Sequence, residues 1–372
     1  MEEEDEALIE KEINCAIDDL PSTMKMFEWS GISFGDAETF RIYKAMKRLA
    51  KTSGATHLRF WGKFLGRQRD YFVIEGTLPY SEEAKAAEGA EARGKGVNSH
   101  VYWVTDDLLS DWIQLPDSEP KYILAARSIK YVVTGNLNAD LNTNPKFPGK
   151  ERHYLRAQIA RITHTTTLAP RDYLKPNDEN DREVEANEEF ACPAVGDLTN
   201  TENWVHEYHH IMNAGIAEHD VSHIGEEERE EALAALEDKD PFVERLKGAN
   251  DDKQVFPKLE GAWTTKTVGN TQSYQAAEDG TVTYACAEVR SLRWKGAITV
   301  SQNGRWANLY IGYGVKTGDV CFNPTKPQDI MDDPTEPNEQ PEPTPLEAPP
   351  EPQEDAKPEG EGAEGDQEPA DE

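Results

Sequence analysis

The segment His206-Glu-Tyr-His-His210 contains the residue types and the spacing of a zinc-hydrolase motif. On a helix, histidines at positions i and i+4 lie on one face and can bind zinc, and a glutamate between them can act as a general base. A catalytic zinc would need a third protein ligand. The nearby candidates for that ligand are His219, His223 and Glu226. The chemistry that this pattern would support is metal-assisted hydrolysis.

Three features of the surrounding sequence argue against zinc chemistry at this motif. The glycine and histidine that continue the motif in metzincins are absent at the required offsets. The helix predicted over residues 199–214 is short, and Trp204 and Tyr208 occupy its apolar face. The five-residue pattern also arises readily by chance. We therefore interpret His206 and His210 as surface or interface histidines one helical turn apart, and we expect no catalytic residue, no metal and no other cofactor.

Basic residues recur in a second region of interest, at Arg152, Arg156 and Arg161. Their intervals fit one face of a helix or a row of alternate strand positions. One interpretation is an ion-pair surface that binds an acidic segment of a partner. The other is ordinary pairing with the carboxylates of this acidic chain, and we weigh the two equally. The candidate interaction residues are therefore Arg152, Arg156, Arg161, Trp204, His206 and His210.

The three arginines belong to the stretch 147–162, around which the rest of the chain is organised. A proline–glycine turn opens this stretch, and regularly spaced apolar residues follow. Leu155, Ile159 and Ile162 fit a helix face, whereas Leu155, Ala157 and Ile159 fit a strand face. Periodicity does not decide between the two, so the stretch is predicted to be a buried element of either type.

Hydrophobic spacing and turn residues predict an α+β fold with N-terminal helices and a mostly antiparallel β core with short helices. Helices are predicted over residues 4–20, 36–51, 119–127 and 199–214. Strands are predicted over residues 58–65, 70–76, 100–104, 112–115 and 129–135, and again in a β-rich region at 262–321. Asp36 is expected to cap the second helix, and Asn303-Gly304 is expected to form a hairpin turn.

Composition divides the chain into three regions. Residues 1–55 form the N-terminal helical region, and residues 56–326 form the α+β core. Polar or acidic insertions are expected in the core near residues 81–99, 175–190 and 225–240. Residues 327–372 contain 17 acidic residues, one lysine and 11 prolines. Such a segment buries too little apolar surface to offset its chain entropy, so it is predicted to be a disordered acidic tail.

The formal net charge of −32 excludes several classes of partner. Non-specific binding to DNA, RNA or anionic lipid needs an excess of lysine and arginine, so we expect no nucleic-acid partner and no membrane partner. No apolar run approaches the length that spans a bilayer. The four cysteines, at positions 15, 192, 286 and 321, have no CxxC spacing, which favours free thiols in a reducing compartment. We expect a soluble intracellular protein.

Several short motifs, in order along the chain, resemble those of one known family. They are Phe60-Trp-Gly-Lys63, Phe147-Pro-Gly149, Tyr154-Leu-Arg-Ala-Gln-Ile-Ala-Arg161, Asn203-Trp-Val-His206, Tyr310-Ile-Gly-Tyr-Gly314 and Met331-Asp-Asp-Pro334. By these motifs the chain resembles the radial spoke head proteins of the 4/6 type. The resemblance also implies that histidines recur at i and i+4 near His206 without a glutamate being required between them, which further weakens the zinc interpretation.

The resemblance implies a non-enzymatic structural subunit of the radial spoke head in the 9+2 axoneme of cilia and flagella. Such a subunit scaffolds the head and relays mechanical contact from the central pair toward dynein regulation. The implied partners are an identical or paralogous 4/6-type chain in a dimer, radial spoke head protein 9, MORN-repeat spoke head proteins of the 1 and 10 type, spoke stalk proteins of the 2 and 3 type and, transiently, the central pair projections. The implied location is the cytoplasm and cytoskeleton, at the axoneme.

Two other functions are compatible with the sequence. A soluble acidic adaptor or chaperone-like binder would hold basic clients through residues 327–372 and would lose binding when that tail is deleted. A zinc hydrolase would use His206, His210 and Glu207, bind stoichiometric zinc and lose activity on Glu207→Gln substitution. A spoke scaffold would instead keep its main partners through the core after deletion of the tail.

Overall fold

A nine-stranded, mostly antiparallel sheet forms the centre of the fold. The computed structural model describes residues 15–79, 89–177, 184–219, 225, 228, 231–232, 245–252, 255, 261–269, 273–276 and 280–317. The described strands are β1 (Ala16–Ile17), β2 (His57–Phe64), β3 (Tyr71–Thr77), β4 (Val101–Thr105), β5 (Ile113–Gln114), β6 (Leu168–Pro170), β7 (Leu174–Pro176), β8 (Val184–Ala186), β9 (Trp204–His206), β10 (Trp263–Val268), β11 (Ser273–Ala276), β12 (Gly280–Thr283), β13 (Cys286–Ser291), β14 (Ala297–Gln302) and β15 (Arg305–Gly312). The main sheet has the order β10–β13–β14–β15–β2–β3–β4–β5, and β1 pairs with β2.

The two halves of the sheet meet where β15 runs parallel to β2. Tyr310 pairs with Gly62 in this register. A side chain at Gly62 would overlap the Tyr310 carbonyl oxygen, and Gly62 has a φ of +153°, so both close approach and backbone conformation require glycine here. A β-bulge between Phe60 and Gly62 shifts the pairing of β2 with β3. Two of the sequence motifs, at residues 60–63 and 310–314, therefore meet at this junction.

Two pairs of helices cover the two faces of the sheet. The helices whose bounds are described are α1 (Leu20–Trp29), α2 (Gly35–Ser53), α3 (Pro120–Arg127) and α4 (Glu151–Thr166). On one face, α1 and α2 bury Phe27 and Met46 in a cluster with Ile74 of β3. On the other face, α3 and α4 bury Leu155 in a cluster with Val73, the preceding residue of β3. Burial of both faces explains why nearly every residue of β3 is buried.

Helix α4 is buried around most of its circumference. Thirteen of its 16 residues are buried, among them Glu151, Arg156 and Arg161. At its start, the Lys150 amide donates a hydrogen bond to His153 Nδ1 at 3.1 Å. The stretch at the centre of the sequence is therefore a helix. Because almost all of its faces are buried, its apolar residues satisfied the helical and the strand periodicity at once.

Three short strand pairs lie outside the main sheet. β6 pairs with β9, β7 with β8 and β11 with β12, all of them antiparallel. A third apolar cluster beside β9 contains Leu198, Trp204, Trp263 and Val289. This cluster packs β9 against β10 and β13, and so positions His206, the last residue of β9, next to the main sheet.

The structure confirms the predicted α+β class, with N-terminal helices and a mostly antiparallel core. Helix α2, helix α3 and the hairpin of β2 with β3 agree with their predicted spans. Gly54 ends α2 in the left-handed conformation. Asp36 lies in the first turn of α2, whereas the N-cap position is occupied by Phe34. Asn303 and Gly304, with φ of 51° and 74°, form the predicted turn between β14 and β15.

The helix predicted over residues 4–20 is wrong where the structure describes that segment. Ala16–Ile17 forms β1, which pairs in parallel with β2. Helix α1 starts later, because the Asp19 side chain caps its first turn and Pro21 lies within that turn, where proline favours a helix start. Residues 1–14 lie outside the described part of the chain.

The strand predicted over residues 129–135 is also wrong. Two of its carbonyl oxygens accept hydrogen bonds from the turn at residues 67–69. The Glu151 carboxylate accepts hydrogen bonds from the amides of residues 134–136. The backbone carbonyl oxygens and amides of this segment therefore bond to the turn at 67–69 and to the Glu151 side chain, and do not form a ladder with a neighbouring strand.

The insertion predicted near residues 81–99 is well packed over its second half. Residues 80–88 lie outside the described residues. Gly96–Asn98 forms a 3₁₀ turn in which Val97 is 3% exposed and Asn98 is 1% exposed. Part of the segment at residues 89–99 is therefore packed into the core.

The other predicted insertions and the tail are described in part or not at all. Near residues 175–190, β7 and β8 pair antiparallel, and residues 178–183 lie outside the described residues. Only four residues of 225–240 are described. The acidic tail at 327–372 lies wholly outside the described residues, and the domain boundaries stay predictions.

Candidate functional site

His206 and His210 do not lie on a helix, so the helix predicted over residues 199–214 is wrong. Two 3₁₀ turns, Asp197–Thr199 and Thr201–Asn203, lead into β9, and the chain is irregular from residue 207 to residue 214. β9 pairs with β6, and Trp204 is fully buried in the third apolar cluster. Strand pairing and burial of this large side chain outweigh the helical spacing of the sequence.

The structure brings His206 and His210 together with Asp252, and we name these three residues the histidine–aspartate cluster. Their ligand atoms all lie within 4.8 Å of one another. The two imidazole centroids are 4.6 Å apart. Nε2 of His206 is 3.1 Å from Oδ2 of Asp252, and the Trp263 indole N–H donates to the same oxygen at 2.7 Å. His206 is buried, so it is not a surface histidine.

Burial and neighbouring groups set the protonation of this cluster. Burial, and then the electrostatic interaction with the neighbouring His206, lower the pKa of His210 to about 3. Burial acts to raise the pKa of Asp252, but the hydrogen bond and electrostatic interaction with His206 and the hydrogen bond from Trp263 outweigh it and bring the pKa to about 2. At neutral pH the cluster therefore contains a neutral His210 and an ionised Asp252, which are the forms that bind metal ions.

Glu207 serves a different part of the molecule, although it lies between the two histidines in the sequence. It lines a cleft of about 520 Å³ together with Arg59, His100 and Tyr208, and no member of the histidine–aspartate cluster lines that cleft. Burial raises the pKa of Glu207, while the charge of Arg59 opposes the shift. The general base of a zinc hydrolase is thus not placed beside the histidines, so the geometry does not support that chemistry.

A buried ion pair lies in the same cleft. Arg59 donates to Oε1 of Glu75 from Nε and Nη2, at 3.0 and 2.8 Å, and the Tyr102 hydroxyl donates to Oε2 at 2.9 Å. Burial acts to raise the pKa of Glu75, but the charges of Arg59 and His100 and these hydrogen bonds bring it to about 2. The network joins β2, β3 and β4, which gives it a structural role in the sheet.

Arg156 lies inside the molecule. It is 2% exposed, and its Nη2 donates to the Val97 carbonyl oxygen at 2.7 Å and to Oδ1 of Asn98 at 3.0 Å. Its guanidinium carbon is 4.7 Å from the centroid of the Tyr102 ring. The sequence suggested that this arginine pairs with a carboxylate, either of a partner or of the chain itself. Among the described residues its hydrogen bonds instead go to a backbone carbonyl oxygen and a side-chain amide oxygen.

Arg152 and Arg161 have different surroundings, so the three arginines do not form one surface. Arg152 is partly exposed and donates a hydrogen bond to Oδ1 of Asn138. Arg161 is almost buried and donates to the Ala126 carbonyl oxygen at 2.8 Å and to Oε1 of Gln158 at 2.7 Å. Of the three arginines, Arg161 is the one that lines a cleft rich in positive charge.

That cleft, which we name the basic cleft, has a volume of about 390 Å³. Its cationic lining residues are Arg127, Lys130, Arg161, Arg293 and Lys316, and none of the described lining residues is acidic. Burial, and then the charges of Arg161, Arg293 and Arg127, lower the pKa of Lys316 to about 8. The described lining of this cleft is therefore rich in cationic side chains. His210 also lines it.

Two parts of these sites had no signal in the sequence. Asp252 belongs to an Asp-Asp pair in a chain rich in such pairs, and its distance from the histidines along the chain matches no ligand spacing. The basic cleft combines residues from several separate segments. Among the third ligands considered from the sequence, His219 does not join the cluster. His223 and Glu226 lie outside the described residues.

Two general expectations can be compared with the described residues. None of their helices is both long enough and apolar enough to cross a bilayer. Cys15, Cys192 and Cys286 are free thiols, as predicted, and Cys321 lies outside the described residues.

The described residues form an α+β core in which Glu207 is separated from the histidine–aspartate cluster. A profile of the family described as "Radial spokehead-like protein" matches residues 1–93 and 79–349. The chain belongs to this family.

Individual relatives carry the names of radial spoke proteins. The chain is 31% identical to "Flagellar radial spoke protein 4" of Chlamydomonas reinhardtii over 319 residues, which are 80% of this chain and 66% of that protein. It is 29% identical to "Radial spoke head protein 4 homolog A" of Homo sapiens over 385 residues, covering 86% of this chain and 52% of that protein. It is also 29% identical to "Radial spoke head protein 6 homolog A" of Mus musculus over 386 residues, covering 87% and 53%. The chain spans between about half and two thirds of the length of these relatives.

The family and its members confirm the resemblance to the radial spoke head 4/6 type. Radial spoke proteins are components of the axoneme of cilia and flagella, and the names of the relatives indicate a structural role in the spoke.

Proposed function

We propose that this chain is a non-enzymatic structural subunit that scaffolds the radial spoke head in the 9+2 axoneme. The observation that carries the proposal is the family match, which extends over residues 1–93 and 79–349. As part of the head, the subunit relays mechanical contact from the central pair toward dynein regulation. The separation of Glu207 from the histidine–aspartate cluster supports the non-enzymatic part of this proposal.

The partners in this proposal are other spoke subunits. They are an identical or paralogous 4/6-type chain in a dimer, radial spoke head protein 9, MORN-repeat head proteins of the 1 and 10 type and stalk proteins of the 2 and 3 type, with transient contact to the central pair projections. Nucleic acid and membranes are not among them, because a net charge of −32 repels phosphate-rich surfaces.

One of these contacts, in our proposal, is the binding of an acidic partner segment in the basic cleft. Charge complementarity supports it: five cations line the cleft, and none of its described lining residues is acidic. Burial, and then the charges of Arg161, Arg293 and Arg127, lower the pKa of Lys316, and a bound carboxylate would oppose both effects on the protonated lysine. Such a contact should weaken as salt concentration rises.

Localisation of the tagged full chain in flagellated cells, before and after detergent extraction, tests the scaffold function. We expect the protein to stay on the axoneme with the repeat of the radial spokes. A diffuse protein that is fully extracted would contradict the proposal. A second version that lacks residues 327–372 separates the alternatives, because a scaffold stays bound through its core and an acidic adaptor is released.

A synthetic glutamate-rich peptide tests the basic cleft. Lys130→Glu and Lys316→Glu should each weaken binding of this peptide by about tenfold or more, since each replaces an attraction with a repulsion. The matched control is Lys44→Glu, on the exposed side of α2 and outside the cleft. Equal binding by all three variants would show that the peptide binds elsewhere, without affecting the scaffold function itself.

A further inference from the structure

We propose that His206, His210 and Asp252 form a binding site for a divalent transition-metal ion, of which Zn²⁺ fits the ligands best. Two imidazoles and one carboxylate are ligands that protein zinc sites use, whereas Mg²⁺ and Ca²⁺ prefer sites built from oxygen. The site differs from the one that the sequence motif suggested. Its third ligand comes from the turn that ends at Asp252, and its histidines lie on a strand end and an irregular segment.

The separations of the ligand atoms suit a tetrahedral ion. Ligand atoms around a tetrahedral zinc lie about 3.3 Å apart at ordinary metal–ligand distances. Nε2 of His206 is 3.1 Å from Oδ2 of Asp252, and the ligand atoms of all three residues lie within 4.8 Å of one another.

Unpaired nitrogen atoms provide an independent sign of a missing positive partner. Nδ1 of His206 and Nδ1 of His210 are both buried, and neither has a hydrogen-bond partner among the described residues. His206 is only 1% exposed. Buried polar atoms of folded proteins almost always have a partner. In the proposed site His206 binds the ion through Nε2, the nitrogen beside Asp252, and His210 binds it through its unpaired Nδ1, so that one nitrogen of each imidazole and one carboxylate oxygen meet at the ion.

The surroundings hold the proposed ligands in position. The Trp263 indole donates to Oδ2 of Asp252 at 2.7 Å, and Nζ of Lys247 is 3.9 Å from Oδ1. The His206 amide donates to the Lys247 carbonyl oxygen, and the His206 carbonyl oxygen accepts from the Leu246 amide, each at 2.9 Å. Groups of this kind, which orient the ligands of a metal site, are a regular part of such sites.

The ion would act as a structural cross-link. It would join the end of β9, the irregular segment after it and the turn at Ala249–Asp251 that precedes Asp252. Three protein ligands leave the fourth position to water. Glu207, the general base that the sequence motif would supply, lines the other cleft, so we propose a structural site that adds stability to the scaffold.

Metal titration of the purified full chain tests the proposal. After treatment with a chelator, the chain is titrated with Zn²⁺ and, separately, with Co²⁺, whose visible absorption reports tetrahedral coordination. We expect one ion per chain, a tetrahedral Co²⁺ spectrum and a Tm that rises when Zn²⁺ is added.

His210→Ala and Asp252→Asn should each weaken Zn²⁺ binding by about 100-fold or more. His57→Ala is the matched control, because His57 pairs with Asp18 outside the cluster and its loss should leave binding unchanged.

Three results would overturn the proposal: no binding by the wild-type chain, a Co²⁺ spectrum without tetrahedral features, or a His210→Ala chain that binds Zn²⁺ as tightly as the wild type. Circular dichroism shows whether each variant is folded. Asp252→Asn keeps the size of the side chain and an oxygen that can accept from Trp263, so it is the variant expected to perturb the fold least. If both variants fail to fold, the wild-type chain alone tests the proposal: a Co²⁺ spectrum without tetrahedral features, or a Tm that does not change with Zn²⁺, would overturn it.

Discussion

The carboxylate of Glu151 accepts two hydrogen bonds from Thr134, one from its amide at 2.7 Å and one from its hydroxyl at 2.8 Å. Both bonds go to Oε2. The other oxygen accepts from the Gly135 amide and from the Tyr71 hydroxyl, each at 2.9 Å. Glu151 is fully buried in the first turn of α4, where its negative charge also faces the positive end of the helix. One side chain thus fixes the central helix to the loop at 134–136 and to β3.

The substitution Glu151→Gln should lower the free energy of unfolding by about 3 kcal/mol. The amide group of glutamine brings an N–H₂ donor into a pocket whose neighbours are themselves donors, so buried donors lose their acceptor. Urea unfolding of the purified chain measures the change. Glu188→Gln, at an exposed position, is the control and should change stability by less than about 0.5 kcal/mol. Similar losses in the two variants would contradict the anchoring role of Glu151.

The substitution Gly62→Ala should destabilise the sheet at the junction of β2 with β15. The added methyl group would overlap the Tyr310 carbonyl oxygen, and the φ of +153° is unfavourable for alanine. We expect a loss of more than about 3 kcal/mol in the free energy of unfolding, or no folded protein. Gly54→Asn is the matched control: Gly54 has a φ of +67° with no atom near the added carbon, so the loss should be about 1 kcal/mol. Equal stability of the two variants would show that close approach is not the constraint at Gly62.

The elements that the sequence predicted well are those whose determinants lie within a few residues. Helix α2 has apolar residues at helical spacing and ends at Gly54, which takes the left-handed conformation that glycine favours. Asn303 and Gly304 both have positive φ, as a two-residue hairpin turn requires. Periodicity and turn chemistry act locally, so they can be recognised without knowledge of the tertiary structure.

The features that the sequence could not predict depend on distant partners. Trp204 and the apolar residues that follow it have the spacing of a helix. Burial of Trp204 in a cluster with Val289 and the pairing of β9 with β6 make this segment a strand instead. Asp252 joins the histidines only because β9 and the turn at 249–251 are adjacent in space. Arg156 was expected at an ion pair and instead bonds to the segment 96–98 from inside the core.

The substitution Arg156→Met should loosen the segment at residues 89–99. It removes the donors that hold the Val97 carbonyl oxygen and the Asn98 side chain, while keeping a side chain of similar length in the core. We expect cleavage by trypsin after Lys95, which is exposed, to become about tenfold faster, because local opening becomes more frequent.

Two further variants sharpen this prediction. Arg156→Lys should not restore the slow cleavage, since an ammonium group lacks the planar fork that reaches both acceptors and the face of Tyr102. Arg41→Met, at an exposed position of α2, should leave cleavage after Lys95 at the wild-type rate. Slow cleavage in the Arg156→Met chain would mean that other contacts hold the segment.

His164 should make the stability of the chain depend on pH. Burial lowers its pKa to about 4 from the ordinary value of 6.5, although the bond from Nδ1 to the His209 carbonyl oxygen, at 2.7 Å, opposes the shift. Because the pKa is depressed in the folded state, the unfolded chain takes up a proton first on acidification. The contribution of neutral His164 is complete above about pH 6.5 and is lost progressively down to about pH 4, for a total of about 3 kcal/mol. Urea unfolding midpoints should therefore fall less between these pH values in His164→Gln than in the wild type.

His57→Gln is the control with the opposite sign: the hydrogen bond with Asp18 raises the pKa of His57, so its contribution is present at low pH and is lost as pH rises. A wild-type midpoint that falls no more steeply than that of His164→Gln would show that burial does not hold His164 neutral.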